Sequence, residues 1–200
     1  MILTKHEIEA LLCRPLDRRL IISPLLDPKN QIGDSSVDVR LGNEFVLIRK
    51  QIFGTLDISN PGEIEAQTWK YQEKIRIELR KRFILHPNQL VLGSTLEYVR
   101  LPEDIACYVT GRSSWGRLGL VIATATAVAP NFSGSITLEL INMGEVPLVL
   151  YPGIRIAQLV FHTTVGTGTY GGRYQQPTGP QFSRIHKDEE LSFWCPPQSG

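Results

Sequence analysis

Cysteine is scarce in this sequence, and the three residues present, Cys13, Cys107 and Cys195, lie far apart. An odd and sparse set does not form the disulfide framework of a small secreted domain, and it is typical of a reducing compartment. No two cysteines have the C-x-x-C spacing that holds zinc in many metal sites. The cysteine pattern therefore predicts a cytoplasmic protein that binds no zinc.

An excess of either charge is also missing. The chain has 21 lysines and arginines against 20 aspartates and glutamates, a formal net charge of +1. Proteins that hold duplex nucleic acid through its phosphates usually carry a clear basic excess. We therefore expect no nucleic-acid partner, whereas a small anionic ligand needs only a few local charges.

Long hydrophobic runs are missing as well. The longest uncharged stretch covers residues 118–138 and contains Pro130, Asn131 and Gly134, so it is not a membrane span. No charged-then-apolar leader opens the sequence. These absences predict a protein without a membrane partner.

What is present fits one globular domain. The chain has 200 residues, of which 42% are hydrophobic, and this is enough for one core but not for two. From residue 166 onward the composition shifts to glycine, proline, glutamine and tyrosine. We therefore expect a compact domain over 1–165 and a flexible C-terminal arm over 166–200.

The local patterns predict a mainly β protein. Thr4 and Glu7 have the spacing of a capping box, which predicts a helix over about residues 5–13. A further helical turn is expected near residues 113–118. Short apolar or alternating segments, separated by proline, glycine and asparagine, predict a sandwich, jelly roll or barrel. The expected strands cover residues 20–22, 36–41, 44–50, 74–79, 83–85, 90–92, 96–99, 105–109, 135–141, 146–150 and 156–161.

Residues 111–120 carry the first candidate site. Arg112 and Arg117 enclose two hydroxyl side chains, Ser113 and Ser114, between glycines. Guanidinium groups and hydroxyls suit phosphate oxygens, and glycine lets the backbone approach a ligand closely. The segment predicts an anion site, with an ordinary polar turn as the alternative.

Glu139 is the second candidate, because it lies among apolar residues. On a strand it shares a face with Thr137 and Ile141. The carboxylate is either exposed to solvent or desolvated with a raised pKa, and the second state suits proton transfer near neutral pH. A third motif, G-x-G-x-x-G at 166–171, is not followed by a plausible helix, so a hinge explains it better than a dinucleotide site.

Seven segments of the chain, in their order along the sequence, resemble the dCTP deaminase branch of the trimeric dUTPase superfamily. The resemblance covers nearly all of residues 1–188. It rests on the segments 36–42, 95–102, 111–114, 136–140, 151–153, 158–159 and 183–185.

The resemblance implies a distorted jelly-roll fold of the dUTPase-like type with a short N-terminal helix. It implies a homotrimer with sites at the subunit interfaces and zinc-independent hydrolytic deamination of dCTP to dUTP and ammonia. Mg²⁺ would be bound through the triphosphate, with no protein side chain as ligand. By position, the catalytic residues are Glu139, Ser113 and Arg117. The substrate-binding residues are Arg112, Ser114, Ala125, Thr137, Leu138, Tyr170 and Arg173, the last two on an arm that closes over the nucleotide.

Two positions depart from the family pattern. Ala129 stands where the family usually has an aspartate that activates water in dUTPases and contacts the deoxyribose in deaminases. Pro177 replaces a tail glutamine. The first departure argues against dUTP hydrolysis and against enzymes that convert dCTP to dUMP. Together they keep two alternatives open: a trimer that binds a pyrimidine nucleotide with little or no turnover, and a deaminase of a modified or ribo cytosine nucleotide.

Overall fold

The computed structural model describes residues 1–49, 56–59, 61–123, 127–167, 170–172, 174 and 176–195. Its helices are α1 (Lys5–Leu12), α2 (Pro28–Gln31), α3 (Pro61–Tyr71), α4 (Ser113–Gly116) and α5 (Glu190–Trp194). Its strands are β1 (Ile21–Ser23), β2 (Val37–Arg40), β3 (Glu44–Ile48), β4 (Gln72–Arg76), β5 (Phe83–Leu85), β6 (Leu90–Arg100), β7 (Ile105–Gly111), β8 (Leu120–Ile122), β9 (Ala127–Val128), β10 (Ser133–Asn142), β11 (Leu148–Leu150) and β12 (Arg155–Thr163).

Helix α1 begins where the sequence predicts it. The Glu7 carboxylate accepts hydrogen bonds from the backbone N–H of Thr4 at 2.6 Å and from its hydroxyl at 2.7 Å. These contacts satisfy groups at the helix N-terminus that have no partner within the helix. Ile8 and Leu11 are the buried residues of the helix. The expected N-terminal helix is therefore confirmed.

Three antiparallel sheets are formed by the strands that the structure describes. The largest has the order β4-β3-β6-β10-β8, with β1 also paired to β6. The second has the order β2-β12-β7-β9, and β5 pairs with β11. Side chains of both larger sheets, such as Leu138 and Leu159, belong to one buried core. The prediction of a mainly β, jelly-roll fold is confirmed.

Strand β6 is one continuous strand, although the sequence predicts two separate segments. The polar residues in its middle, Ser94 and Thr95, are buried at 4% and 2% exposure. The Thr95 hydroxyl donates to the Glu97 carbonyl at 2.7 Å and accepts from the Ile136 N–H at 2.9 Å. These hydrogen bonds remove the cost of burying a hydroxyl, which allows the strand to continue.

Strand β10 positions Glu139, the second candidate. Leu138 and Leu140 are fully buried on one face of the strand, whereas Thr137, Glu139 and Ile141 are only partly buried on the other. This alternation is the period of a strand with one core-facing side. The first candidate site lies elsewhere, where β7 ends and α4 begins. No helix in the described ranges combines the length and apolar composition that a bilayer crossing requires.

Candidate active site

A cavity of about 420 Å³ lies over the partly buried face of β10. Its volume is within the range of small-molecule sites. Apolar side chains of β3 and β6, the segment 127–132 and residues of the C-terminal arm line it. Its polar lining residues are Gln72, Ser135, Thr137, Glu139, Tyr170, Tyr174, Gln181 and Ser183.

Glu139 is the one carboxylate among the described residues that line this cavity. Burial raises the pKa of its carboxyl above the ordinary value, because the charged form loses solvation. Among the described residues, none forms a hydrogen bond or an ion pair with this carboxylate. The Glu139 side chain is partly buried, which is intermediate between the two states that the sequence leaves open.

The C-terminal arm covers the cavity through contacts with the edge of β10. The carbonyl of Pro177 accepts hydrogen bonds from the Ser135 N–H at 2.7 Å and the Ser135 hydroxyl at 3.0 Å. The N–H of Gln181 donates to the Thr137 hydroxyl at 3.3 Å. Tyr170 packs edge-on against Phe132, with ring centroids 5.6 Å apart. Residues from two distant parts of the sequence therefore form one wall.

The Gly-Arg-Ser-Ser segment does not reach this cavity. Ser113, Ser114 and Arg117 are exposed, and none of the three lines it. Arg112 and Ser114 instead line a second cavity of about 340 Å³ together with Trp115. Within one chain, the structure therefore separates Glu139 from the other two predicted catalytic residues.

The remaining predicted positions divide into three groups. Thr137 and Tyr170 line the Glu139 cavity. The Leu138 side chain lies in the core at 0% exposure, so only its backbone is available to a ligand. Ala125 and Arg173 lie outside the described residues.

Several cavity residues were not predicted from the sequence. Gln72, Tyr174 and Gln181 line the cavity, and the buried Asp38 contacts Arg112. Tyr174 follows Arg173 directly, so its position in the arm was an available signal. Gln72 gave no such signal, because it meets the site only through sheet pairing. Asp38 belongs to the 36–42 segment of the resemblance, but its contact with Arg112 depends on sheet pairing.

The departure at Ala129 falls on the wall of the Glu139 cavity. A methyl group there replaces the carboxylate that the resemblance leads one to expect.

In the described part of the chain, no three His, Cys, Asp or Glu side chains are grouped so that they could hold a metal ion.

Fold and cavity together define a jelly-roll protein with a site large enough for a nucleoside, built around one carboxylate. Residues 2–164 match the model of the dCTP deaminase-like family. A Dictyoglomus turgidum protein named "dCTP deaminase, dUMP-forming" is 42% identical over 197 residues, covering 94% of this chain and 96% of that protein. A Haloarcula marismortui protein named "dCTP deaminase" is 42% identical over 179 residues, covering 86% of this chain and 90% of that protein. The chain therefore belongs to the dCTP deaminase-like family.

A solved structure agrees with the fold. The crystal structure of 2'-deoxycytidine 5'-triphosphate deaminase from Agrobacterium tumefaciens aligns with a TM-score of 0.60 at 22% sequence identity. The alignment covers 82% of this chain and 48% of that chain, so this chain spans about half of the Agrobacterium protein.

Proposed function

We propose that this protein deaminates dCTP to dUTP and ammonia by zinc-independent hydrolysis. The observation that carries the proposal is the Glu139 carboxylate, partly buried and without a partner among the described residues, in a cavity of nucleoside size. A carboxyl group with a raised pKa accepts and returns a proton near neutral pH. The names of relatives with 42% identity support the deamination of dCTP.

Both protons of the attacking water have to move. The oxygen of the water molecule forms a bond to C4 of cytosine while Glu139 takes one proton from that water. Glu139 then delivers this proton to the exocyclic nitrogen, the C4–N bond breaks, and ammonia leaves. The second proton passes from the new C4 hydroxyl to N3, which gives the C4 carbonyl of uracil. One residue thus acts first as general base and then as general acid.

Ser113 and Arg117 complete this site in our proposal. Ser113 orients the water or the leaving amine, and Arg117 holds Glu139 and stabilises charge that develops at the reacting carbon. Both residues are exposed on a turn away from the Glu139 cavity of their own chain. We therefore propose a homotrimer in which this turn of one subunit faces the Glu139 cavity of its neighbour.

Mg²⁺ enters in this proposal as part of the substrate. Triphosphate oxygens and water hold the ion in this proposal, with no protein side chain as ligand. Bound in this way, Mg²⁺ neutralises part of the phosphate charge. Arg112 and Ser114 lie on the same turn as Ser113 and contact the phosphates, and Tyr170 closes over the nucleotide.

A second product is favoured by a specific observation. Relatives with 42% identity include proteins named "dCTP deaminase, dUMP-forming". Forming dUMP requires a second hydrolysis, of the triphosphate, for which the family's usual aspartate activates water. Ala129 cannot serve as that base, which is why we propose dUTP as the product.

Product analysis tests both candidates. The purified protein is incubated with Mg²⁺ and dCTP, CTP, dCMP or dUTP, and ammonia and nucleotides are quantified by chromatography. We expect ammonia and dUTP from dCTP. Pyrophosphate and dUMP would establish the second candidate, and unchanged nucleotide that binds in calorimetry would show a non-catalytic binding protein. Absence of both turnover and nucleotide binding would overturn every nucleotide function considered for this chain.

A further inference from the structure

The Gly-Arg-Ser-Ser turn contacts a carboxylate from a distant part of the chain. Asp38 on β2 is buried, with its side chain 9% exposed. Two guanidinium groups share its Oδ2 atom: Nε of Arg112 and Nη1 of Arg155 each lie 3.1 Å away. The other oxygen, Oδ1, accepts a hydrogen bond from Nε2 of Gln158 at 3.0 Å.

The sheet register explains how these residues meet. Asp38 is paired with Gln158 of β12, and Gln158 is paired with Thr110 of β7. Arg112 comes directly after β7, so its side chain crosses the middle strand to reach the carboxylate. The contact therefore connects the end of β7 to a strand two positions away in the same sheet.

Two hydrogen bonds connect the turn to the backbone of Arg155, at the start of β12. The backbone carbonyl of Arg155 accepts from Nη1 of Arg112 at 3.2 Å and from Nε1 of Trp115 at 3.0 Å. The Arg112 and Trp115 side chains thus anchor both sides of the turn. Ser113 and Ser114 lie between these anchors and remain exposed.

The charges make the carboxylate necessary for this geometry. Arg112 and Arg155 are always protonated, and both approach one buried oxygen. Without the Asp38 charge, two like charges would be left close together in a partly desolvated place, where they repel strongly. Loss of the Asp38 charge would release Arg112, which directly precedes the exposed serines of the turn.

We propose that Asp38 is a positioning residue for the triphosphate. It fixes the Arg112 guanidinium in the geometry that accepts phosphate oxygens, while the hydrogen bond from Trp115 to the Arg155 carbonyl holds the rest of the turn, including Ser113. The inference rests on the proposed function in one respect, that the anion at this turn is the triphosphate of the nucleotide. Asp38 does not act on the cytosine ring in this proposal.

Steady-state kinetics of Asp38→Asn tests the proposal. We expect the KM for dCTP to rise at least about tenfold, as for the loss of one hydrogen bond to a charged group, with kcat close to that of the wild type. The inhibition constant of inorganic tripolyphosphate, measured as a competitive inhibitor, should rise by the same factor, and that of deoxycytidine should not change. An equal rise in the inhibition constant of deoxycytidine would show that the substitution disturbs the whole site, and it would overturn the proposal.

Two further variants sharpen the result. Asp104→Asn is the matched control, because Asp104 forms an ion pair with Arg14 at 3.0 Å near the surface, and its KM should equal that of the wild type. In an Arg112→Ala background, Asp38→Asn should raise KM no further, since coupled residues are not additive. A fully additive rise would show that Asp38 does not act through Arg112.

Folding and function are kept separate in this design. If Asp38→Asn does not give the circular dichroism spectrum of the wild type, Asp38→Glu replaces it, which keeps the charge and moves it by one methylene. A smaller rise in KM in the same direction is then expected, and no rise contradicts the proposal. Failure of the proposed function is seen beforehand, as lack of dCTP turnover by the wild type. In that case, calorimetry still compares the affinities of the wild type and the variant for tripolyphosphate.

Discussion

Glu139 occupies a strand position that alternates with fully buried leucines, and this explains its unusual environment. Its side chain shares the open face of β10 with Thr137, while Leu138 and Leu140 fix the strand in the core. Arm residues Tyr170, Tyr174 and Gln181 line the same cavity as the carboxylate. The raised pKa is thus a consequence of the fold and not of a neighbouring negative charge, since desolvation is its only identified cause.

Glu139→Gln tests the assigned role of this residue. We expect kcat for dCTP deamination to fall by about 10²–10⁴, the usual contribution of a proton-transfer group. The amide has nearly the same shape but cannot take a proton from water. Glu44→Gln is the control, because Glu44 pairs with Lys74 outside the Glu139 cavity. A Glu139→Gln variant with nearly wild-type kcat would contradict the role.

The same variant makes a prediction about stability. A carboxyl whose pKa is raised on folding holds its proton more tightly in the folded state, so its ionisation destabilises the fold. The penalty is absent below the ordinary carboxyl pKa and complete above the raised one. Glu139→Gln should therefore unfold at the same temperature as the wild type or a higher one at pH 8, measured by calorimetry. A much lower temperature would mean that lost activity reflects misfolding.

Arg117 should control the pH at which Glu139 becomes active. A guanidinium close to a carboxylate favours its charged form and lowers its pKa, which opposes the effect of burial. In Arg117→Gln this opposition is lost, so the acid limb of the kcat/KM profile should move to higher pH. Arg14→Gln, which removes a surface ion pair with Asp104, is the matched control. An unmoved acid limb would indicate that Arg117 does not approach Glu139.

At the scale of elements, the arm is anchored where Pro177 meets the start of β10. Gly134 has a φ of +147°, and a Cβ there would lie 2.4 Å from the Pro177 ring. Proline also fixes its own backbone angle, which lowers the conformational freedom that docking must remove. The residue that departs from the family pattern thus contributes a rigid contact at this position.

Gly134→Ala should displace the arm from the cavity. The added methyl group collides with Pro177, so we expect a higher KM for dCTP and faster proteolytic cleavage within 164–184. Gly153→Ala is matched to it, because Gly153 also has a positive φ, +92°, but has no atom near its Cβ position. The Gly153→Ala variant therefore measures the effect of backbone strain alone. Equal cleavage of both variants would show that strain, and not the collision, opens the arm.

The sequence predicts elements well where periodicity is strong. The alternation of apolar and polar residues around Glu139 predicted its strand and the face on which it lies, and the capping box predicted helix α1. Helix α3 was missed, because Ile64 and Thr68 are its buried residues in the described part of the chain and they form too narrow an apolar stripe. Pro61 at its first position was the available signal. The contact of Asp38 with Arg112 depends on strand order, which no local pattern contains.

At the scale of the whole molecule, the single chain presents its site in two separated parts. One part is the Glu139 cavity, and the other is the exposed turn with Ser113 and Arg117. Because neither Ser113 nor Arg117 lines the Glu139 cavity of its own chain, we expect a site that contains all three residues to draw them from two subunits. The separation is therefore the structural argument for the trimer that we propose, independent of any measured assembly.

Mixing two inactive variants tests this arrangement directly. Glu139→Gln subunits keep an intact turn, and Arg117→Ala subunits keep an intact carboxylate, so a site between one of each contains every required residue. Random assembly of equal amounts into trimers should restore about one quarter of the sites, since each site draws its two parts independently. Deamination is measured after unfolding and refolding the mixture, and each variant refolded alone is the control. If each subunit formed its own complete site, the mixture would be no more active than the average of the two variants.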